Sequence, residues 1–134
     1  MTYPDTGALI TLAWQRDTAV VLCSARRGDM GAPTPRDALA RVLGVAADRG
    51  IATMFGPELK CTLQNSYGAA PFGMDQWYSS AAIDAVGPFV ADVYHYLPDM
   101  DIPVCETFNE HGAGQMEINL RPASGMQAWD RVML

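Results

Sequence analysis

The feature of this sequence that most restricts its fold is a strictly alternating stretch within NEHGAGQMEINLRP, residues 109–122. The polar positions of the alternation are Gln115, Glu117, Asn119 and Arg121. Because successive side chains of a β-strand point to opposite faces, the pattern predicts a strand with an apolar back and a polar front. A glycine-rich turn precedes this strand, and a further acid, Glu110, stands before the turn. The polar front therefore either faces water or lines a site.

A second segment, GPELKCTLQ at residues 56–64, repeats this arrangement. Its apolar side is formed by Leu59, Cys61 and Leu63, and its polar side by Glu58, Lys60, Thr62 and Gln64. If both strands lie in one sheet that packs on helices, the carboxylates of Glu58, Glu110 and Glu117 converge. Oxygen ligands of this kind suit Mg²⁺ or Mn²⁺. The alternative is that both polar sides face water, as in many antiparallel sheets, and that the acids only confer solubility.

The other patterns predict a mixed α/β chain of the α+β type. A helix over residues 34–49 is indicated by Thr34 as its cap and Pro35 at its first position. A second helix is expected over residues 88–97. We predict a curved, mainly antiparallel sheet with both helices on one face, in a single domain of residues 1–134. Further strands are expected in residues 7–14, 18–25 and 102–108, a loop in residues 26–33, and a short helix in residues 123–134.

Charge and hydropathy restrict the classes of partner. The formal net charge of −6 and the lack of a basic stripe argue against nucleic acid. No apolar run approaches the ~18 residues that a membrane-spanning helix needs, so no membrane partner is expected. The N-terminal residues MTYPDTGALI have neither the basic nor the apolar region of a signal peptide, which predicts a cytoplasmic location.

The order of these motifs resembles the glutamine synthetase family. GPEL is followed by a long loop, a helix, IPV and then NEHGAGQMEINLR, and the family shows the same order. YPDTGALITLAWQRDTAVVLC resembles the end of the family's small β-grasp domain, so residues 1–33 are expected to be a remnant of its strands. TPRDALARVL resembles the helix that opens the catalytic domain, so residues 34–134 are expected to be a shortened catalytic core.

The resemblance implies roles for individual residues. Glu58 matches the first glutamate of an E-x-E pair, which binds the metal ion facing the ATP phosphates. Glu110 and Glu117 match ligands of the other metal ion, which holds the substrate glutamate. With Lys60, these three acids are the expected catalytic residues. The residues expected to bind substrate are His111, Gly114, Gln115, Asn119 and Arg121.

Two departures from the family change these expectations. Lys60 stands where the family has the second glutamate of E-x-E, so an ammonium replaces a ligand and repels a divalent cation. We predict an ion pair of Lys60 with Glu117 or Glu110; the alternative is an exposed lysine that extends into solvent. The second departure is length, because a downstream histidine ligand, a substrate loop and phosphate-binding arginines of the family have no counterpart in the sequence.

Three functions are compatible with this sequence. The first is a protein that has lost ATP-dependent ligation and binds a small molecule, or acts as a metal-independent enzyme, in a specialised biosynthetic pathway. The second is a glutamate–amine ligase that needs a partner chain with the missing half, and only this one requires ATP with Mg²⁺ or Mn²⁺. The third is a non-catalytic regulatory subunit. For the chain itself we expect no cofactor and a homo-oligomer, most simply a dimer, because strand edges and apolar surface need cover.

Overall fold

A computed structural model describes residues 2–25 and 33–134, with the side chain of residue 25 excepted. The strands are β1 (Thr2–Thr11), β2 (Ala19–Ala25), β3 (Met54–Phe55), β4 (Glu58–Thr62), β5 (Val104–Asn109), β6 (Gln115–Leu120) and β7 (Ala123–Ser124). The helices are α1 (Pro35–Asp48), α2 (Ser80–Ala85), α3 (Gly87–Asp99) and α4 (Gly125–Met133). The predicted loop over residues 26–33 lies, except for its last residue, outside the described residues. The chain divides into two compact units, Met1–Gly56 with Pro122–Leu134, and Pro57–Arg121.

The first unit contains the antiparallel pairs β1–β2 and β3–β7 with helices α1 and α4. Helix α1 begins as predicted: the Thr34 hydroxyl accepts from the Asp37 N–H, and the Asp37 carboxylate accepts from the Thr34 N–H. The Arg36 guanidinium binds both carboxylate oxygens of Asp130 on α4 at 2.8 and 2.7 Å. It also donates to Asp5 of β1 at 2.7 Å. This ion-pair network ties three elements of the unit together.

The second unit is built around a three-stranded antiparallel sheet in the order β4–β6–β5. Lys60 of β4 lies directly opposite Glu117 of β6, and Phe108 of β5 lies opposite Glu117 on the other side. In the next row along the strands, Asn119 lies between Glu58 and Glu106. Since residues paired across strands share a face, these six side chains form one front face. The predicted alternation in β4 and β6 is confirmed.

The back of the same sheet packs on α2 and α3. Met116 of β6 is fully buried in a cluster with Phe72, Ala82 and Val86, and Cys61, Leu63, Ile83, Phe89 and Val90 pack around that cluster. The helices are separated at Gly87-Pro88, where α2 has ended and α3 begins. Proline fits the first turn of a helix because its missing N–H would have no partner there. The back face is thus dry, and the front face is left for other contacts.

The predicted fold class, mixed α/β with antiparallel sheets and helices, is confirmed. In the described residues, the strands form three separate sheets rather than one continuous sheet. The segment around Gly56-Pro57 is divided between β3 and β4, which belong to different sheets. Within the described parts of the chain, no helix has both the length and the apolar character needed to cross a membrane.

Candidate ligand site

The glycine-rich turn between β5 and β6 is fixed by main-chain hydrogen bonds. Gly114 donates its N–H to the Phe72 carbonyl at 3.1 Å and accepts from the Leu63 N–H at 2.8 Å. Its φ is +67°, and a Cβ atom there would lie 2.5 Å from the Leu63 carbonyl oxygen, so only glycine fits. The Gln115 side-chain oxygen accepts from the Gly112 N–H at 3.0 Å. The turn therefore delivers the chain into β6 in a single register.

Lys60 lies at the centre of the front face, in contact with the predicted acids. Its Nζ donates to Glu110 Oε1 at 2.9 Å and to Glu117 Oε2, and lies 4.0 Å from Glu58 Oε2. The predicted ion pair of Lys60 with Glu117 or Glu110 is confirmed, and both acids take part. The second N–H donor to Glu110 is the backbone of His111, at 3.2 Å from Oε2.

Exposure changes across this cluster. The Glu117 side chain is 4% exposed and that of Glu110 is 13% exposed, whereas Lys60 and Glu58 are 42% and 59% exposed. One end of the cluster is therefore enclosed by protein, and the other end opens to solvent. The front face is neither a plain solvated surface nor a closed cavity; it is an open, acid-lined site with a buried floor.

The ion pairs shift the proton affinities of the cluster. The pKa of Glu110 is lowered to about 2. The largest cause is the hydrogen bond from the Lys60 ammonium, and hydrogen bonds with Glu117 and with the His111 N–H lower this pKa further. The pKa of Lys60 is raised above its usual value, first by Glu117 and then by Glu110. Lys60 is therefore charged, and Glu110 ionised, throughout the physiological pH range.

These shifts predict how stability depends on pH. An unfolded glutamate titrates near ~4.3, so ionised Glu110 contributes stability above about pH 4.3 that is lost as the pH falls towards 2. Urea unfolding between pH 7 and 2 should show a steeper acid loss for the native chain than for Glu110→Gln. Glu106→Gln is the matched control, because Glu106 accepts from the Asn119 amide and not from Lys60. Equal slopes for the native chain and Glu110→Gln would contradict the ion pair.

A second polar row lies beside the Lys60 cluster. The Asn119 Nδ2 donates to Glu106 Oε1 at 3.3 Å. The Asn119 Oδ1 is buried and has no hydrogen-bond partner among the described residues. Glu106, which the sequence analysis did not single out, therefore adds a carboxylate to the front face outside the group that surrounds Lys60. Asn119 contacts this acid of its own sheet.

Aromatic side chains border the front face on the β5 side. Tyr78 meets Phe108 edge to face with ring centroids 5.2 Å apart, and Trp77 stacks on His111 at 4.0 Å. The Trp77 and Tyr78 rings are themselves 4.8 Å apart. Both side chains are about half exposed. Together with Phe108 and His111, these two side chains form a row of rings next to the acids, which we call the aromatic wall (Trp77, Tyr78, Phe108 and His111).

The other residues predicted to bind substrate are placed in different ways. Gly114 and Gln115 build the turn, as described above. His111 is exposed and stacks on Trp77. Arg121 follows the last residue of β6, and its N–H donates to the Pro103 carbonyl at 2.9 Å. In the part of the chain that the structure describes, the ion pairs of Glu58, Glu110 and Glu117 are made by Lys60 and not by the Arg121 guanidinium.

Some contributors to the site were missed in the sequence. Glu106 and Phe108 could have been found, since they alternate with Thr107 and Asn109 and share a face with Glu110. The burial of Asn109 could not be predicted, because nothing in the neighbouring sequence distinguishes a buried asparagine from an exposed one at the end of a strand. The structure places it at the back of β5, in contact with the loop that carries Trp77 and Tyr78.

The chemistry of the donors decides whether this arrangement suits a divalent cation. The Lys60 Nζ stands among Glu58, Glu110 and Glu117, and a metal ion at that point would meet an ammonium instead of a fourth carboxylate. Among the described residues, no three His, Cys, Asp or Glu side chains are grouped so that they could hold a metal ion. The donor set as it stands does not fit a metal ion bound at this point.

Comparison with known proteins gives one family. Residues 32–134 match the family described as "Glutamine synthetase, catalytic domain". A glutamate–isopropylamine ligase from Pseudomonas sp. is 28% identical over 141 residues, covering 95% of this chain and 30% of the ligase.

Solved structures show the same fold. Apo GmaS without ligand superposes with a TM-score of 0.77 at 20% identity, covering 98% of this chain and 33% of GmaS. A GmaS complex with ADP gives 0.75 at 20% identity, covering 98% and 32%. A crystal structure of a novel glutamine synthase homologue gives 0.70 at 22% identity, covering 97% and 32%. The chain thus spans about a third of the length of these relatives.

Proposed function

Because the chain belongs to the glutamine synthetase family, we propose that its front face is a metal-independent site for a small alkylammonium ligand. The observation that carries this proposal is the position of the Lys60 Nζ, in contact with both Glu110 and Glu117. By resemblance to the family, Glu110 and Glu117 are expected to bind a metal ion. Here the ammonium of Lys60, on the neighbouring strand, neutralises part of their charge instead. ATP-dependent ligation by this chain alone is not expected.

The sign of the ligand charge follows from the acids that remain. The front face carries four carboxylates, Glu58, Glu106, Glu110 and Glu117, against the single ammonium of Lys60. Glu58 is largely exposed, so it can accept hydrogen bonds from an incoming N–H. The excess of negative charge on this face favours a cation over an anion.

The aromatic wall supports an organic cation rather than a metal ion. A cation over an aromatic face gains about 0.5–2 kcal/mol, depending on its desolvation, and an alkyl group packs on the same rings. Trp77 and Tyr78 expose such faces next to Glu110 and Phe108. The Pseudomonas relative is named for isopropylamine. We therefore choose isopropylammonium as the probe, because it combines one charge with a compact apolar group.

The test is an NMR titration of the isotope-labelled chain with isopropylammonium chloride in the presence of EDTA. Saturable shifts are expected at the Trp77 indole N–H and at Lys60, which is the single lysine of the sequence and gives one side-chain signal when lysine is labelled. Isopropanol, which has the same shape without the charge, should give no saturation. Sodium chloride at equal ionic strength controls for screening.

A charge-matched pair of variants tests where the ligand binds. Glu58→Gln should weaken binding several-fold, whereas Asp84→Asn on an exposed part of α2 removes the same charge and should leave the affinity unchanged. Equal effects of both variants would mean that only net charge is sensed. Binding that requires added Mg²⁺ or Mn²⁺, or no saturable shift at all, would overturn the proposed function.

A second candidate function is favoured by the apolar surface of the first unit. Val42, Met54 and Met133 are largely exposed there. Large apolar side chains on a surface favour a protein–protein contact where they lie together as a patch. They support a ligase component that joins glutamate to an amine within an assembly, with a second copy or with a partner chain carrying further catalytic elements. If the second copy supplies the contact, light scattering is expected to give the mass of a dimer at micromolar concentration. A monomer would exclude the second copy and leave only assembly with a partner chain.

A further inference from the structure

Asn109 is the most deeply buried amide of the second unit that the structure shows with both polar atoms paired. Its residue is 1% exposed, on the back of β5 opposite Met116. The Oδ1 accepts from the Ser79 N–H at 3.1 Å, and the Nδ2 donates to the Gln76 carbonyl at 2.6 Å. The same Ser79 N–H and Gln76 carbonyl also bond to each other at 3.1 Å, so the amide clamps both ends of one turn to β5. A buried amide is costly unless it is hydrogen-bonded, so this side chain is there for its bonds rather than for its volume.

Both partners of Asn109 belong to one short loop. Gln76 ends a 3₁₀ turn (Met74–Gln76), and Ser79 caps helix α2 by accepting from the Ala81 N–H at 3.2 Å. Between these fixed points stand only Trp77 and Tyr78. Tyr78 has a φ of +50°, a left-handed conformation that is unfavourable for a residue other than glycine. Such a conformation persists where the surrounding contacts determine it.

The strand that carries Asn109 links these contacts to the front face. Its neighbours Phe108 and Glu110 point to the front, where Phe108 meets Tyr78 and Glu110 meets Lys60. We infer that Asn109 is a positioning residue: from behind the sheet it holds Trp77 and Tyr78 against His111 and Phe108, and so sets the aromatic wall beside the acids. The effect on a ligand rests on the function proposed above, whereas the effect on the wall does not.

The amide is required because the two contacts have opposite polarity. An aspartate at this position could accept from the Ser79 N–H but could not donate to the Gln76 carbonyl when ionised, and it would bury a charge. A leucine keeps a similar volume and makes neither bond. Asn109→Leu should therefore release the loop without opening a cavity. Asn109→Ser, whose hydroxyl can still make one of the two bonds, is the milder variant if the leucine form does not fold.

The wall is measured by two readouts that do not need a ligand. In the chain labelled with 5-fluorotryptophan, the Trp77 resonance, assigned with Trp77→Phe, should shift towards the solvent-exposed value in Asn109→Leu. Exchange of the Ser79 N–H should become several-fold faster, because this N–H then keeps only its bond to the Gln76 carbonyl within a turn that is no longer tied to β5. Met116→Ala is the control, because it loosens the same core opposite Asn109 and keeps both loop bonds. It should leave the Trp77 resonance unchanged below its unfolding transition.

The ligand readout then distinguishes the two proposals. The isopropylammonium Kd is expected to rise about tenfold in Asn109→Leu and to stay within twofold of the native value in Met116→Ala. If the native chain binds no amine but Trp77 is released in Asn109→Leu, the proposed function fails and the positioning role stands. An unmoved Trp77 resonance and unchanged Ser79 exchange in both Asn109 variants would overturn the inference. A released Trp77 with an unaltered Kd would leave the positioning role standing and would count against the aromatic wall as part of the proposed ligand site.

Discussion

Lys60→Glu is expected to create measurable Mn²⁺ binding and to lower the stability of the metal-free chain. The substitution removes the ammonium that contacts Glu110 and Glu117. It also places a carboxylate directly opposite Glu117, which makes a group of four with Glu58, Glu110 and Glu117. Unpaired acids at such short range raise one another's pKa and destabilise the fold, most strongly where one of them is buried as Glu117 is. The same four oxygen-bearing groups suit a hard cation.

Titration calorimetry and thermal melts measure the two effects on one pair of proteins. Added Mn²⁺ should recover the stability of Lys60→Glu by mass action, by about 2.7 kcal/mol at a concentration of 100 Kd, and should leave the native chain unchanged. Lys60→Gln removes the ammonium without adding an acid, so it should lose stability but gain little metal affinity. Tight Mn²⁺ binding by the native chain, unaltered by Lys60→Glu, would show that Lys60 points away from the acids in solution.

Met116→Ala is expected to have the largest effect on stability, a loss of about 2–5 kcal/mol in the free energy of unfolding. Met116 is fully buried in the cluster with Phe72, Ala82 and Val86, so truncation of its side chain leaves a cavity that the neighbours fill only in part. The matched control is Met74→Ala in the same unit, since Met74 is 69% exposed and its truncation should cost less than about 0.5 kcal/mol. Urea unfolding at neutral pH measures both. Equal losses for the two variants would mean that the back of β6 is not the core of this unit.

Local patterns in the sequence were sufficient for the elements that define the site. The alternation in β4 and β6 placed Glu58, Lys60 and Glu117 on one face, because the geometry of a strand determines which side chains share a side. The start of α1 was equally local, since the Thr34 cap and Asp37 are only three residues apart. Where a contact is set within a few residues, the sequence is enough to predict it.

Contacts between distant residues could not be predicted in this way. Arg36 binds Asp130, which lies 94 residues further along the chain, and nothing in the local sequence marks either residue as paired. Asn109 is separated from its partners Ser79 and Gln76 by 30 and 33 residues. The division of β3 and β4 between two sheets likewise depends on which distant strand each one pairs with. Tertiary pairing, and not propensity, decides these features.

The cross-strand position of Lys60 has a consequence at the level of the gene. Lysine codons AAA and AAG become glutamate codons GAA and GAG by a change of the first base alone. Because Lys60 lies directly opposite Glu117 and within reach of Glu58 and Glu110, that one change would convert the centre of the cluster from an ammonium to a carboxylate without moving any strand. The lysine and glutamate forms of this face therefore differ by one nucleotide substitution.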